Sequence, residues 1–375
     1  MRKHDKHNIL VMGAGRIGVA VSSLLSNCGD YTVYLSDVKP PFKLPLIKNN
    51  PIEFITADIT RPHEIRAFIK EKNIEAVISC LPFYLTFEVA KIAADCKIHY
   101  FDPTEDVATT KAVFELADSL KHDCITFVPQ CGLAPGFISI AANSLINGMN
   151  DVQSIKMRVG ALTQSTHNSL KYGITWSIDG LINEYIHPCT VLKNGVKKSV
   201  PSMSGLEELT IDGVIYEAFY TSGGIGSMPD TFAGKVQSID YKTIRYPGHY
   251  EKMAFLLHDL KLIQSPALLK DILQNAIAHV EDDKVVIYVA AIGYTNGRLT
   301  ERAYTNTLYP SVYDGHKFTA IQMSTASGIC TVVDLVIKHK KFKGIVLQEQ
   351  ISLEEFLNNR FGVYYTKFFN TNGIQ

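Results

Sequence analysis

The sequence predicts an α/β protein with a doubly wound parallel sheet and an inserted α+β domain that is built on a mostly antiparallel sheet. In the first part of the chain, short apolar runs alternate with amphipathic segments, which is typical of the strands and helices of a parallel sheet. Further along, the apolar runs become β-rich and are separated by turn sequences. We therefore expect domains at residues 1–135 and 136–320, with residues 321–375 returning to the first domain as helices.

In the first domain, strands and helices are expected to alternate. Buried strands are predicted at Asn8–Met12, Tyr31–Leu35, Ile52–Ile55, Ala76–Ser79, Ile98–Phe101 and Ile125–Val128. An apolar spacing of three and four predicts helices at Ile17–Ser26, Pro62–Lys72, Phe83–Asp95 and Val107–His122. This order is typical of a parallel sheet that is covered by helices on both faces.

In the second domain, the pattern predicts hairpins. Strands are predicted at Gln153–Gly160, Pro188–Lys193, Glu208–Ile211, Val214–Tyr220 and Val285–Gly293. The dipeptides Asn194-Gly195, Asp212-Gly213 and Asn296-Gly297 are typical of tight hairpin turns. Helices are predicted at Ile178–Tyr185, Tyr250–Leu260 and Thr319–Lys338, the last of which returns to the first domain.

The composition excludes several classes of protein. With 46% hydrophobic and 20% charged residues over 375 positions, the chain is too apolar to be disordered. Lys plus Arg equal Asp plus Glu at 37 each, so no net charge attracts nucleic acid or an anionic membrane. No apolar run approaches the roughly 18 residues of a membrane span, and glycines interrupt the N-terminal run ILVM before it reaches signal-sequence length. Seven scattered cysteines without a C-x-x-C pair favour a reducing, cytoplasmic location.

A glycine motif, Gly13-Ala-Gly15-Arg16-Ile17-Gly18, follows the first predicted strand and opens the first predicted helix. In this context the motif is typical of a Rossmann dinucleotide-binding domain. The first glycine allows the turn, the second leaves room for the pyrophosphate, and the third lets helix and strand pack closely. The five residues of the motif other than the alanine are therefore cofactor-binding candidates beside a helix N-terminus. The alternative is a glycine turn that binds no nucleotide.

Asp37 follows the second predicted strand, where a carboxylate can accept hydrogen bonds from the ribose hydroxyls of the cofactor. A 2'-phosphate would meet like charge there, so NAD is favoured, although the nearby Lys39 leaves NADP possible. A strand-end turn residue is the alternative for Asp37. Further cofactor-binding candidates follow the third and fourth strands, namely Asp58, Leu81 and Pro82.

Substrate residues are expected in segments at the carboxyl ends of the strands, because ligands bind there in open α/β sheets. These segments are Ser79–Tyr84, Tyr100–Asp106 and Pro129–Gly136, together with Thr221–Thr231, which we expect to form a flexible lip. From them, the substrate-binding candidates are Phe83, Thr221, Ser222 and Gly223. The twelve histidines form no metal-binding motif, so no metal is expected.

The chain resembles the saccharopine dehydrogenases of the reductase type and the similar lysine 6-dehydrogenases over nearly its whole length. The matching segments occur in the same order and are GAGRIG, Leu81-Pro82, Asp102, CGLAPG, TWSIDGLINEY, TSGG and KTIRYPGH (Lys242–His249). The resemblance implies an NAD(P)-dependent oxidoreductase that acts on the C–N bond of an amino acid through an imine. It also implies an inserted domain that closes over the cofactor and makes homodimer contacts.

Carried over by position, the resemblance places the substrate amine near Asp102 and the substrate carboxylate at Arg245, whose planar guanidinium suits it. His249 then becomes a candidate proton carrier near neutral pH. The residue before CGLAPG departs from the family, because relatives commonly have a carboxylate where this chain has Gln130. A glutamine keeps the shape but cannot serve as a base.

Several alternatives stay open. The substrate could instead be a polyamine or an opine-like imine, or the chain could be a catalytically impaired nucleotide-binding protein. Asp102 could cap the next helix, Arg245 could form a surface ion pair, and His249 could be structural. Glu184 and Tyr185 are interpreted as the polar face of a helix.

Overall fold

The computed structural model describes residues 6–41, 50–120, 124–339 and 342–366. Its strands, in chain order, are β1 (His7–Met12), β2 (Tyr31–Asp37), β3 (Glu53–Thr56), β4 (Ala76–Ser79), β5 (His99–Phe101), β6 (Thr126–Val128), β7 (Asp151–Thr163), β8 (Cys189–Lys193), β9 (Val196–Val200), β10 (Glu207–Ile211), β11 (Val214–Tyr220), β12 (Val236–Arg245), β13 (Asp283–Thr295), β14 (Arg298–Leu308), β15 (Ser311–Tyr313), β16 (His316–Phe318) and β17 (Gly344–Ile345).

The α-helices, in chain order, are α1 (Arg16–Asn27), α2 (Pro62–Glu71), α3 (Phe83–Cys96), α4 (Val107–Asp118), α5 (Phe137–Ile146), α6 (Ile178–Ile186), α7 (Met228–Phe232), α8 (His249–Ala254), α9 (Pro266–Ala276), α10 (Ala320–His339) and α11 (Leu353–Asn358). Shorter helical turns lie at Phe255–Asp259, Leu262–Gln264, Gln348–Gln350 and Gly362–Tyr365.

The chain folds as two compact units. The first contains the described residues up to Gly136 together with Val312–Phe318 and Gln322–Thr366. The second contains Phe137–Ser311 and Thr319–Ile321. Each unit has its own sheet and is described separately below.

The first unit is built on a seven-stranded sheet with the order β17-β6-β5-β4-β1-β2-β3, in which every pair is parallel. The strands form where buried aliphatic runs can pack on both faces, as in β4, whose four residues are all buried. Strand order reverses at β1, so the carboxyl ends of β1 and β4 border the crevice where such sheets bind ligands. The predicted strands and helices are confirmed to within one or two residues, except that α4 ends at Asp118. Residues 121–123, inside that predicted helix, lie outside the described residues.

The second unit is built on a mixed sheet with the order β10-β11-β12-β7-β13-β14, and β8 and β9 join it beside β12. Its strand pairs are antiparallel, apart from the parallel pair of β12 and β7, so the expected mostly antiparallel sheet is confirmed. The three predicted turns close the hairpins β8–β9, β10–β11 and β13–β14. Both residues of each turn have positive φ, which Asn, Asp and Gly tolerate best.

Several elements of the second unit were not predicted from the sequence, namely the strands β9, β12 and β14 and the helices α5, α7 and α9. Strand β12 carries two buried cations, Lys242 and Arg245, that hide the apolar pattern of a strand. Strand β14 lies at the sheet edge, where only one residue of eleven is fully buried, so its apolar signal is weak. The predicted helix at Tyr250–Leu260 is confirmed, as α8 followed by the helical turn Phe255–Asp259.

Helix α10 confirms the prediction for Thr319–Lys338. Within the described part of the chain, it is the one helix that is long and apolar enough to cross a membrane, and most of it is buried inside the protein. A buried core helix meets the same length and apolarity criteria, so the finding is weak evidence for a membrane span.

Candidate functional site

The glycine loop joins β1 to α1 in the first unit. Gly13 has a φ of 106°, and a Cβ atom there would lie 2.6 Å from the carbonyl oxygen of Cys80. A Cβ atom at Gly18 would lie 1.8 Å from the carbonyl oxygen of Gly13. By contrast, a Cβ atom at Gly15 would meet no heavy atom within 4 Å. The fold itself therefore requires glycine at positions 13 and 18, whereas the fold places no such demand on Gly15.

The space beside Gly15 lies at the N-terminus of α1. Gly15 is the N-cap, no side chain caps the helix there, and its first turn contains no acidic residue. Backbone amides at a helix N-terminus bind phosphate, and the helix dipole favours its negative charge. Arg16, exposed, and Ile17, half-buried, begin this turn. The residues of this loop therefore fit the pyrophosphate of a dinucleotide.

Asp37 ends β2 and contacts the glycine loop directly. Its Oδ2 accepts a hydrogen bond from the Ala14 amide at 2.7 Å, and its Oδ1 accepts one from the Val38 amide at 2.7 Å. The carboxylate therefore holds the loop in place in addition to any contact with a ribose. Lys39, two residues further on, is exposed.

The other predicted cofactor residues surround the ends of β3 and β4. Asp58 accepts hydrogen bonds from the amide and hydroxyl of Thr60, which hold the pKa of its carboxyl below the usual range. The Leu81 amide nitrogen lies against Gly13, 3.0 Å from the position of an added Cβ atom. Pro82 is exposed and precedes α3, and Phe83 is the half-buried first residue of that helix. The fold thus brings Leu81 to the glycine loop.

Asp102 follows β5 and is fully buried in the first unit. Its Oδ1 accepts hydrogen bonds from the amides of Thr104 at 2.8 Å and Gln130 at 3.4 Å. Burial raises the pKa of Asp102 to about 6, against the hydrogen bonds that favour the charged form. Asp106, not Asp102, caps α4 by accepting from the Thr109 amide at 2.7 Å, so the capping alternative for Asp102 is wrong.

The Pro129–Gly136 segment supports Asp102 from the next strand. Gln130 has a φ of 62°, which is a left-handed conformation, and its backbone amide donates to Asp102. The segment then folds tightly, since a Cβ atom at Gly136 would lie 2.2 Å from the carbonyl oxygen of Gly132. The segment therefore supplies a backbone donor to Asp102, and at position 130 it supplies no second carboxylate.

Arg245 is the last residue of β12 and is buried in the second unit, with 2% of its surface exposed. Its Nε donates to the Tyr185 hydroxyl at 2.8 Å, and its Nη1 donates to the Ile244 carbonyl at 2.9 Å. The guanidinium carbon lies 5.3 Å from the ring centre of Tyr172 and 5.8 Å from that of Tyr185. Burial alone would lower the pKa of Arg245, but these tyrosines and Glu184 raise it. Arg245 is therefore a buried permanent cation, and the surface ion-pair alternative is wrong.

His249 begins α8 and is buried beside Arg245. Its Nδ1 lies 2.9 Å from the Leu170 carbonyl oxygen, and its Nε2 lies 3.2 Å from the Tyr185 hydroxyl. Burial, reinforced by the charge of Arg245, lowers the pKa of His249 to about 3. The expectation that this imidazole titrates near neutral pH is therefore wrong.

The TSGG segment packs into the same unit. Thr221 shares a hydrogen bond of 2.8 Å with the hydroxyl of Thr243, and the Ser222 amide donates to the Glu184 carbonyl at 2.9 Å. Thr221, Ser222 and Gly223 are all buried, so this part of the segment packs inside the second unit, and the flexible lip stays a prediction.

Three further residues of the second unit were misinterpreted or missed. Glu184 and Tyr185 are buried, so their interpretation as a polar helix face is wrong. Tyr172, which the sequence analysis did not select, lies over Arg245. The signal for Tyr185 was its place in TWSIDGLINEY, a segment that the resemblance had already marked. Nothing in the sequence singled out Tyr172.

Metal binding finds no support in the described residues, which contain no group of three or more His, Cys, Asp or Glu side chains placed to hold an ion.

Two family models together match nearly the whole chain. A family model described as the saccharopine dehydrogenase NADP binding domain matches residues 9–128. A second, described as the saccharopine dehydrogenase C-terminal domain, matches residues 132–361.

Curated relatives match about half of the chain. The mitochondrial alpha-aminoadipic semialdehyde synthase of Rattus norvegicus is 26% identical over 197 residues, which cover 51% of this chain and 21% of that protein. The Bos taurus protein of the same name is 27% identical over 214 residues, which cover 55% and 22%. The match therefore spans about a fifth of the length of these relatives.

A solved structure matches nearly the whole chain. The apo histidine-tagged saccharopine dehydrogenase (L-Glu forming) from Saccharomyces cerevisiae has a TM-score of 0.73 and 15% identity, covering 93% of this chain and 95% of that one. At this identity the match concerns the fold alone. The expected fold class is confirmed.

Proposed function

The chain belongs to the saccharopine dehydrogenase family, and we propose that it is an NADP-dependent oxidoreductase that acts on the C–N bond of an amino acid. Its substrate is then of the lysine or saccharopine type, with a carboxylate on the carbon skeleton that carries the reacting amine. The curated relatives, which are named alpha-aminoadipic semialdehyde synthase, are much longer proteins, and only about a fifth of their length matches this chain.

The glycine loop is the observation that carries the proposal. Gly13 and Gly18 are explained by contacts within the fold, but no contact within 4 Å explains the absence of a side chain at Gly15. The cofactor pyrophosphate explains it, because the phosphates approach the backbone at this position in dinucleotide-binding domains. When bound, the nicotinamide supplies hydride transfer to or from the amine-bearing carbon.

We propose NADP as the cofactor in place of the NAD that Asp37 favoured. The carboxylate of Asp37 is engaged by the Ala14 and Val38 amides, so its presence does not require a ribose diol as partner. The exposed Lys39 supplies a cation in the same loop that can neutralise a 2'-phosphate. The family model that matches the first unit is also an NADP-binding one.

For the substrate, we propose that Arg245 binds the carboxylate and Asp102 takes the proton of the amine. Arg245 keeps its charge although it is buried. A substrate carboxylate would accept hydrogen bonds from the guanidinium N–H groups that do not donate to Tyr185 or Ile244. A pKa of about 6 suits Asp102 for proton transfer near neutral pH. Because Gln130 cannot be a base, Asp102 works without a second carboxylate at that position.

A substrate screen tests the proposed function. Lysine, saccharopine, ornithine and polyamines are each offered with NAD and with NADP, and the absorbance of the reduced nicotinamide is followed. We expect turnover with an amino acid and NADP, and none with polyamines, which lack the carboxylate for Arg245. Turnover of polyamines would replace the proposal with the polyamine alternative. Cofactor binding without any turnover would indicate the catalytically impaired protein.

A pair of variants tests the carboxylate contact. Arg245→Gln removes a charge-assisted pair and should lower kcat/KM for the amino acid roughly 30-fold or more, with NADP affinity unchanged. Arg298→Gln, at an exposed arginine of β14, is the matched control and should leave the kinetics unchanged. Equal kinetics for the two variants would exclude Arg245 as the clamp.

We also propose a reducing, cytoplasmic location, which is supported by seven cysteines that are all free thiols. The homodimer stays a prediction.

A further inference from the structure

We propose that Tyr185 and His249 are positioning residues that hold the Arg245 guanidinium in the orientation needed to bind a substrate carboxylate. The inference rests on the proposed function, since it concerns the same site. It assigns to His249 a fixed hydrogen-bonding role in place of proton transfer.

Two of the N–H donors of Arg245 already have partners within the second unit. The Nε–H is directed to the Tyr185 hydroxyl, and one Nη1–H is directed to the carbonyl of Ile244, its neighbour on the strand. A guanidinium presents either its Nε edge or its two Nη groups to a carboxylate, each as a planar fork. Because Tyr185 occupies the Nε edge, the two Nη groups are left to form the fork. Tyr185 thus selects which edge faces the substrate.

The two hydrogen-bond partners of His249 determine which ring nitrogen carries the proton. The Leu170 carbonyl oxygen can only accept, so Nδ1 of His249 must carry a proton to make the contact of 2.9 Å. In the neutral imidazole, Nε2 then has a lone pair and accepts from the Tyr185 hydroxyl at 3.2 Å. The Tyr185 oxygen therefore donates to His249 and accepts from Arg245, which makes a directed chain of hydrogen bonds.

The hydrogen bonds of Tyr185 require the imidazole of His249 to be neutral. If Nε2 were protonated, both His249 and Arg245 would donate to Tyr185, and the hydroxyl proton would have to turn away from both. The two cations would also repel each other in a buried site. Burial holds the pKa of His249 at about 3, so this arrangement is avoided across the neutral pH range.

The imidazole is itself held from several sides. Its ring lies nearly parallel to that of Phe219, with an angle of 8° and 6.3 Å between ring centres. Glu217, on β11 opposite Arg245, accepts hydrogen bonds from the amides of Gly248 and Tyr250, on either side of His249. Phe219 and Glu217 lie on the same strand, so β11 fixes the imidazole while Tyr185 transmits its orientation to Arg245.

Three variants test the chain of hydrogen bonds on the full-length protein. Tyr185→Phe removes the hydroxyl and should raise KM for the carboxylate substrate at least about tenfold, with a smaller effect on kcat and none on NADP affinity. His249→Asn keeps a donor for Leu170 but removes the acceptor for Tyr185, and it should act in the same direction. His249→Gln places an amide oxygen near the Nε2 position and should restore much of the wild-type KM.

Tyr246→Phe is the matched control, because its hydroxyl donates to the Thr163 carbonyl at 2.9 Å, away from Arg245. The control should keep the wild-type KM. A KM for Tyr185→Phe that equals that of the control, or losses confined to kcat, would overturn the positioning role. Equal KM values for His249→Asn and His249→Gln would overturn the role of the Nε2 acceptor.

A second measurement does not depend on turnover. Nitrogen-15 NMR of the histidine-labelled, cofactor-free chain should show His249 neutral at pH 7, protonated on Nδ1 and with a bare Nε2 that Tyr185→Phe perturbs. A proton on Nε2, or titration near neutral pH, would overturn the proposal. If this signature is found while no substrate turns over, the hydrogen-bond chain stands and the proposed function fails, so the two failures are distinguishable.

Discussion

Asp102→Asn gives the sharpest test of the buried carboxyl in the first unit. Asparagine keeps the shape and the acceptor oxygen for the amides of Thr104 and Gln130. It removes the charge that Asp102 acquires as the pH rises. Because burial is the main cause of the raised pKa, the charged form must weaken the folded state, and the neutral variant should escape that effect.

The magnitude follows from the two pKa values. The folded value is about 6 and the ordinary value is 3.8, so the native chain binds the proton more tightly and stability falls as the pH rises between them. At about 1.4 kcal/mol for each pKa unit, the full difference is about 3 kcal/mol, of which about 2 kcal/mol is incurred between pH 4 and pH 6. Between pH 5 and pH 8 it amounts to about 1.4 kcal/mol.

Urea unfolding of the cofactor-free protein at pH 5 and pH 8 measures this difference. The free energy of unfolding of Asp102→Asn, relative to that of the wild type, should increase by about 1.4 kcal/mol from pH 5 to pH 8, so that the variant gains stability relative to the wild type. Any fixed effect of the asparagine cancels in this comparison. Glu115→Gln, at an exposed carboxyl of α4, is the control and should show no such change. A difference that does not vary with pH would refute the raised pKa of Asp102.

Three further predictions concern the cofactor loop and Glu217 of β11. Gly15→Ala should weaken NADP binding at least about tenfold but lower stability by no more than about 1 kcal/mol, because alanine is a poorer N-cap than glycine. Gly18→Ala should instead unfold the chain readily, and calorimetry together with titration with the cofactor separates these outcomes. Asp37→Ala should weaken both cofactors, because the Ala14 amide loses its acceptor, and should weaken NAD more than NADP; fluorescence titration with both reduced cofactors would contradict this if NADP suffered more. Glu217→Ala should lower stability by about 1 to 2 kcal/mol through loss of the acceptor at the start of α8, and Glu208→Ala, at the exposed residue opposite it, should not; equal unfolding midpoints would exclude this capping role.

The first six strands of the first unit and the helices between them could be predicted because their signals are local. The edge strand β17 was not predicted, because the last part of the chain was expected to form helices and this strand has only two residues. A strand that is buried on both faces reads as a short apolar run, and an amphipathic helix reads as a spacing of three and four. Strand β4 and helix α3 illustrate the two patterns, and each was placed to within one residue. The glycine motif is local in the same way, since all three glycines lie in one turn and the start of one helix.

Strand β12 shows why the second unit was harder to predict. Lys242 lies in the strand with its Nζ 2.9 Å from Glu207 of β10, and Arg158 of β7 lies 2.7 Å from Asp240 of β12. Buried charges are tolerated when they are paired, so these residues can sit inside a sheet. The partners are far apart in sequence, however, and a pattern search along the chain cannot join them. The charged residues therefore read as loop or surface.

The protonation states of the site residues were also difficult to predict from the sequence alone. From residue type alone, His249 was the group expected to titrate near neutral pH, and a carboxyl such as Asp102 is ordinarily charged throughout that range. One cause, burial, reverses both assignments: it disfavours the charged form, which raises the pKa of Asp102 to about 6 and lowers that of His249 to about 3. An acid–base role near neutral pH is therefore open to Asp102 and closed to His249. The imidazole is useful because it stays neutral, and only then can its bare Nε2 direct the Tyr185 hydroxyl and, through it, the Arg245 guanidinium.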